Sequence, residues 1–210
     1  CQCSRRAEAG SCLNERNEQK TDDYSLYING TGKMTSAMWN AWDNQYYTDK
    51  ITRVFVDENL SFVNISWIDK DVFPGLQEIH FGSVCRDVRH YNVDNVGIYY
   101  NGTVNGNISW AYTPDGTLRI TGRGEMPDYS DIGAPWYNLN QWDYIKTIDI
   151  SDNITKIGNW AFYHCSAESV HLPENLTVLG HDAFYGGDLT SVSIPDGVSV
   201  IPKSCFSNNY

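Results

Sequence analysis

The feature that most constrains this chain is a 22-residue spacing near its C-terminal end. Ala161-Phe162, Ala183-Phe184 and Cys205-Phe206 recur at that interval. So do Ile148, Val170 and Val192; Ile150, Leu172 and Ile194; and Ile157, Leu179 and Ile201. Thr155, Thr177 and Ser199 form a small polar column. A unit this short cannot bury its own apolar side. Successive units must therefore stack and share a continuous core, which makes a solenoid.

Each unit reads the same way. Ile148-x-Ile150, Val170-x-Leu172 and Val192-x-Ile194 alternate, as a short strand with one buried face does. Pro173 and Pro195 end two of these strands, because proline removes a ladder donor. The Ile157-type residue returns to the core, and the Ala-Phe pair is expected in a helical turn, with Phe filling the layer. Cys205 occupies the small-residue column and Cys165 follows its Phe by three residues, so both are expected as buried free thiols.

A longer duplication contains the short one. Thr21, Asp23, Leu26, Ile28, Gly30, Gly32 and Met34 match Thr113, Asp115, Leu118, Ile120, Gly122, Gly124 and Met126 at identical spacing. Further on, Trp42, Asn44, Ile51, Val54, Val56 and Asn59 match Trp136, Asn138, Ile145, Ile148, Ile150 and Asn153. The first copy is irregular from Phe62 to Asp71 and rejoins at Ile79-His80-Phe81, which resembles Val170-His171-Leu172. The expected organisation is a cysteine-containing segment at 1–20, an irregular module at 21–104, and a second module at 105–210 with a hairpin and three 22-residue repeats, ending inside a repeat. In the second module Ile108–Tyr112, then Pro114-Asp115-Gly116, then Leu118-x-Ile120 reads as a β-hairpin. The fold class is a β-rich repeat protein, a leucine-rich-repeat-type solenoid of short parallel strands with β-hairpin segments in two related modules.

Several stretches of the second half resemble the BspA-type leucine-rich repeat surface proteins. They are G-T-L-R-I-T-G-R-G-E-M-P-D-Y-S from Gly116, A-P-W-Y from Ala134, I-K-T-I-D-I from Ile145, and I-T-K-I-G-N-W-A-F-Y-H-C from Ile154. V-H-L-P-E-N-L-T-V-L-G-H-D-A-F-Y from Val170 and V-S-I-P-D-G-V-S-V-I-P from Val192 continue the series. The likeness runs from about Asn107 to Asn209, is weaker from Thr21 to Phe81 and is absent from Cys1 to Lys20. It implies a curved solenoid with a parallel sheet on one face, on a cell surface, engaged in adhesion to host proteins, other microbes or extracellular matrix. Two departures stand out: Pro202 where Gly158 and Gly180 sit, and Gly187 at the position of Cys165.

Charge and cysteine usage bound the setting. With 26 acidic and 15 basic residues, net charge −11, the chain lacks the basic face that nucleic acid or an anionic membrane requires. No apolar run is long enough to span a bilayer. Asn-x-Ser/Thr sequons occur at Asn29, Asn59, Asn64, Asn101, Asn107, Asn153 and Asn175. In a eukaryotic secretory pathway they are glycosylation sites; in a bacterium they are incidental. Cys1, Cys3, Cys12 and Cys85 are the disulfide candidates, with connectivity open. An extracellular location, secreted or at the cell surface, is expected.

The sequence carries no constellation for catalysis, cofactor or metal: none of the nucleophile-elbow, zinc-protease, phosphate-loop or calcium-loop patterns occurs. The spacings of His164, His171 and His181 match no compact metal motif. Asp128 and Asp131 read as solvated loop acids. The candidate partner-binding residues are the outward positions of the stacked strands: Thr147, Asp149, Ser169, His171, Ser191 and Ser193. They suit a protein or glycan contact. Self-assembly into an extracellular glycoprotein array or filament is the alternative. Among the 7 tryptophans and 14 tyrosines, Trp110 and Trp136 are expected in the core. Trp39, Tyr46, Tyr47, Tyr99 and Tyr100 are expected as surface contacts.

Overall fold

The computed structural model describes residues 24–28, 32–33, 50–57, 60–62, 68, 70–82, 95–130, 133–140 and 145–210. The chain divides into two compact units, Cys1–Tyr100 and Asn101–Tyr210. Both are built from short parallel strands. Cys1, Cys3, Cys12, Cys85, Trp39, Tyr46 and Tyr47 lie outside the described residues, as do the sequons at Asn29, Asn59 and Asn64.

In the first unit, β1 (Tyr24–Ile28) pairs in parallel with β3 (Ile51–Val56), which pairs with β5 (Glu78–Phe81). The first four residues of β6 (Gly97–Asn105) pair with β5. Leu26, Val54 and Ile79 share one register and Ile28, Val56 and Phe81 the next, and all six are buried. Two further strands, β2 (Gly32–Lys33) and β4 (Leu60–Phe62), form a separate parallel pair.

The second unit opens with the hairpin of β7 (Ile108–Tyr112) and β8 (Thr117–Gly122), which are antiparallel. The turn between them is closed by the Gly116 N–H donating to the Thr113 carbonyl at 3.0 Å. Proline at Pro114 presets the first corner, and Gly116 takes the left-handed φ of 87° that L-residues avoid. Asp115 locks the corner: its carboxylate accepts from the Thr113 hydroxyl at 2.6 Å and the Thr117 N–H at 3.1 Å. These bonds hold its pKa below the usual carboxylate value.

From β8 the sheet continues in parallel through β10 (Thr147–Ile150) to β12 (Ser169–His171). A second sheet runs β9 (Gly124–Glu125), β11 (Ile154–Ile157) and β13 (Val178–Leu179). Gly122 and Gly124, at φ 121° and 95°, turn the chain from one sheet to the other. Before β10 lies one short helix among the described residues, α1 (Tyr137–Asn140).

The same pairing pattern recurs inside each unit. Leu26 pairs with Val54 and Ile28 with Val56; Leu118 pairs with Ile148 and Ile120 with Ile150. Gly32 opposite Leu60 mirrors Gly124 opposite Ile154. These residue sets are the ones that align in the sequence.

An aromatic spine fills the core of the second unit. Trp136, Phe162, Phe184 and Phe206 stack with ring centroids 5.4, 5.1 and 5.3 Å apart. Trp136 is anchored by donating its indole N–H to the Ala161 carbonyl at 2.8 Å. The Ala column exists because the ring layers need close backbone approach: Ala161 and Ala183 are fully buried, and Cys205 is 1 % exposed in the same place. Cys165 and Cys205 are buried free thiols. Burial pushes their pKa values up, to about 12 and about 11.

Three expectations are corrected. The Ala-Phe segment is a stack of turns rather than a helical turn. Trp160, Asp182 and Ser204 have φ of 51°, 54° and 57°, and His164 and Asn208 have 53° and 59°. Left-handed residues at these positions stop helix propagation and aim N–H groups at the next layer. Trp160, Phe162 and His164 donate to the carbonyls of His181, Ala183 and Tyr185. Second, Val192–Ile194 forms no strand. Val192 and Ile194 are only half-buried, and Val200 and Ile201 are 69 % and 57 % exposed. Third, Tyr100 is buried and stacked on Phe81 rather than exposed.

The departure at Gly187 has a steric cause. A β-carbon there would crowd the Cys165 carbonyl and the Asn209 amide oxygen. That amide is fully used, accepting from the Leu189 N–H and donating to the carbonyls of Phe184 and Phe206.

Candidate functional site

Strand alternation turns every second side chain outward. In the second unit this makes two columns. Thr117, Thr147 and Ser169 share one register and Arg119, Asp149 and His171 the other. The Thr147 and Ser169 hydroxyls lie 3.2 Å apart. The Arg119 guanidinium donates to Asp149 at 2.9 Å, both groups being about half exposed. Exposed pairs of this kind contribute about 0–1 kcal/mol, so they shape the surface more than they stabilise it. His171 lies 3.8 Å from Asp152 and is exposed. Of the six expected residues, the structure brings Thr147, Asp149, Ser169 and His171 together on adjacent strands. Ser191 and Ser193 are exposed but outside any strand.

Arg119 was missed by reasoning confined to the 22-residue repeat. The signal was present in Leu118-x-Ile120, whose alternation turns Arg119 outward. What the repeat alone does not say is that the second hairpin arm heads the parallel stack.

The first unit carries the equivalent column, and its chemistry is different. Tyr27, Phe55, His80 and Tyr99 stand in register on β1, β3, β5 and β6. Their rings are stacked, with centroids 4.8, 4.5 and 4.4 Å apart and planes within 16°. His80 also meets Glu78 at 3.0 Å. The ring spacing is close to the strand spacing of a sheet. The ring faces are used on one another, so what points outward is a strip of ring edges. By the sequence duplication, Tyr27, Phe55 and His80 correspond to Arg119, Asp149 and His171. One topological position thus presents aromatic edges in one unit and an ion pair in the other.

The remaining expected residues fall as follows. Trp110 and Trp136 are buried and meet edge-on at 6.0 Å. The sequon residues Asn101, Asn107, Asn153 and Asn175 are exposed, and the Asn175 amide donates to the Asp152 carbonyl. Asp128 accepts from the Asn159 N–H at 3.1 Å and pairs with Lys156 at 3.1 Å, which together hold its carboxyl below the usual range. Asp131 lies outside the described residues. No group of three or more His, Cys, Asp or Glu side chains forms a metal-type cluster among the described residues.

Stacked short parallel strands, a continuous apolar spine that repeats every 22 residues from Phe162 to Phe206, and outward columns define a leucine-rich-repeat solenoid. Residues 137–210 match the family model of the BspA type leucine rich repeat region, in six copies. Proteins built on this repeat are often surface proteins involved in binding. Among solved structures, the chain is similar to a leucine-rich repeat protein from Eubacterium ventriosum, at 28 % identity and a TM-score of 0.45. The match covers 54 % of this chain and 36 % of that protein, so the chain spans about a third of its length. No curated protein matches. No helix among the described residues is long and apolar enough to cross a membrane.

Proposed function

We propose that this chain is a non-enzymatic extracellular adhesion module that recognises a protein partner through the outward faces of its parallel strands. The observation that carries the reading is the pair of equivalent columns, Tyr27-Phe55-His80 and Arg119-Asp149-His171. Neither is required by the core, which lies on the opposite strand faces. Stacked repeats make such columns into an extended surface, the feature solenoids use for binding. The small hydroxyl column of Thr147 and Ser169 beside the ion pair supplies hydrogen-bonding groups with little steric bulk. The exposed sequon residues fit a secreted or surface setting, and the two modules at 21–104 and 105–210 would present two chemically distinct contact strips.

The test is binding to a panel of purified extracellular matrix proteins, with variants of the face. The double variant Arg119→Asp with Asp149→Arg keeps the internal ion pair and inverts its polarity. It should fold as the parent does and lose partner binding. Undiminished binding by the double variant and by His171→Glu would sink the assignment of this face.

The second reading is a structural subunit of an extracellular assembly. It is favoured by the apolar surface at Val178, Val200 and Ile201, which are 46 %, 69 % and 57 % exposed. Concentration-dependent sedimentation, abolished by Val200→Asp with Ile201→Asp, would establish it. A monomer at all concentrations would remove it.

A further inference from the structure

The layer-to-layer hydrogen bonds explain the left-handed backbone at the turn edge of the repeats, but not the large aromatic side chain that Trp160 places there. The position held by Trp160, Asp182 and Ser204 has a left-handed backbone in every repeat, with φ between 51° and 57°. Aspartate tolerates that conformation comparatively well, whereas a bulky aromatic there is an outlier. Trp160 is not in the core either: it is half-buried, while the spine runs through Phe162 two residues on. A strained residue of this kind persists where the surroundings hold it, and such residues cluster at binding sites.

The surroundings of Trp160 are built. Its indole and the His181 ring meet in a T-shaped pair, with centroids 4.2 Å apart and planes at 82°. The His181 Nδ1 is 2.8 Å from the Asp182 carboxylate, and its backbone N–H donates to the Asn159 side chain at 2.9 Å. Asn159 in turn donates its own N–H to Asp128. On the same turn Tyr163 stacks on Tyr185 at 5.4 Å, with His164 edge-on to Tyr163 at 4.3 Å. Asn208 donates its side-chain amide to the Tyr185 hydroxyl. The edge therefore combines large half-exposed rings with oriented planar hydrogen-bonding groups.

From this geometry we propose that the turn edge around Trp160, His181 and Asp182 is a subsite for a neutral saccharide. The apolar C–H face of a pyranose ring packs on an indole, and its hydroxyls are read by paired imidazole and carboxylate groups. Asp128 and Asp182 in the immediate neighbourhood, on a chain of net charge −11, oppose sulfated or sialylated sugars. This site lies on the turn side of the repeats and is independent of the strand-face reading above.

The test uses the full chain and a set of neutral oligosaccharides (mannan, β-glucan and galactan fragments) beside sialylated and sulfated ones. Titrations are followed through the indole N–H signals in nuclear magnetic resonance. Saturable shifts of the Trp160 signal by a neutral sugar, and not by the anionic ones, are expected. Trp160→Asn should reduce that affinity about two- to tenfold, the order expected for one lost aromatic contact. Because asparagine tolerates a left-handed backbone, this variant should keep or raise the Tm. The double variant of Arg119 and Asp149 should bind the sugar unchanged. No neutral saccharide moving the Trp160 signal, equal binding by Trp160→Asn, or preference for an anionic sugar would each overturn the proposal. So would a marked fall in Tm for Trp160→Asn, which would make the indole a packing residue. Shifts produced by a peptide from a matrix protein, with no sugar response, would reassign the edge to protein recognition.

Discussion

If the aromatic spine couples the repeats, truncating its middle must cost far more than truncating its end. Phe162 is 1 % exposed and stacks on Trp136 on one side and Phe184 on the other. Phe206 is half-buried and, among the described residues, stacks on Phe184 alone. Removing a buried phenyl ring costs about 3–5 kcal/mol through lost transfer energy and the cavity left behind. Each aromatic pair adds about 0.5–1.5 kcal/mol beyond area burial. Phe162→Ala therefore sits at the top of that range, and Phe206→Ala, with partial burial and one pair, at about 1–2 kcal/mol. A domain has only about 5–15 kcal/mol in total, so the first change removes a large share of it. Urea unfolding of the full chain, followed by tryptophan fluorescence and circular dichroism, reads the difference. Hydrogen exchange locates it: Phe162→Ala should expose the amides of Trp160, Phe162 and His164, which donate across layers. Equal losses for the two variants, or unchanged exchange at those amides, would show that the spine does not couple the layers.

Further outcomes follow from other parts of the structure. A β-carbon on Gly158 would fall on the Pro127 carbonyl, so Gly158→Ala should destabilise by about 2–3 kcal/mol. Gly106→Ala, with nothing near its added carbon, should stay within about 0.5 kcal/mol in the same thermal melt. Cys165 and Cys205, with thiol pKa values raised to about 12 and about 11, should resist alkylation at pH 8 until the chain unfolds, their thiolate fractions being on the order of 10⁻⁴ and 10⁻³; peptide mapping before and after denaturation checks this. Raised values mean that their stabilising effect is complete below the unfolded thiol value of 9.0 and is lost as pH climbs through the folded ones. Asp115 behaves oppositely: its lowered pKa gives a contribution present above the ordinary carboxylate value and lost as pH falls through the folded one. Asp115→Ala should cost under about 1 kcal/mol at neutral pH, because the turn is exposed, and the cost should vanish in acid melts.

The 22-residue spacing determined the solenoid without help from any coordinate. The alternation of Ile148 with Ile150 and of Val170 with Leu172 reads directly as short strands, and the Ala-Phe column as a common layer. Gly116 was legible as a turn residue because its role is local. The outward positions Thr147, Asp149, Ser169 and His171 were legible for the same reason, since alternation is a property of a single strand. What only the tertiary structure decided was anything that depends on the neighbouring layer. Val192–Ile194 forms no strand although its alternation matches that of β10 and β12, because periodicity does not report whether ladder bonds are made. Left-handed backbone at Trp160 and His164 arises from N–H groups aimed at the next repeat, so the sequence read only a generic helical turn. The Tyr27-Phe55-His80-Tyr99 stack joins residues spread over 73 positions of an irregular module, and parallel pairing alone brings them into register.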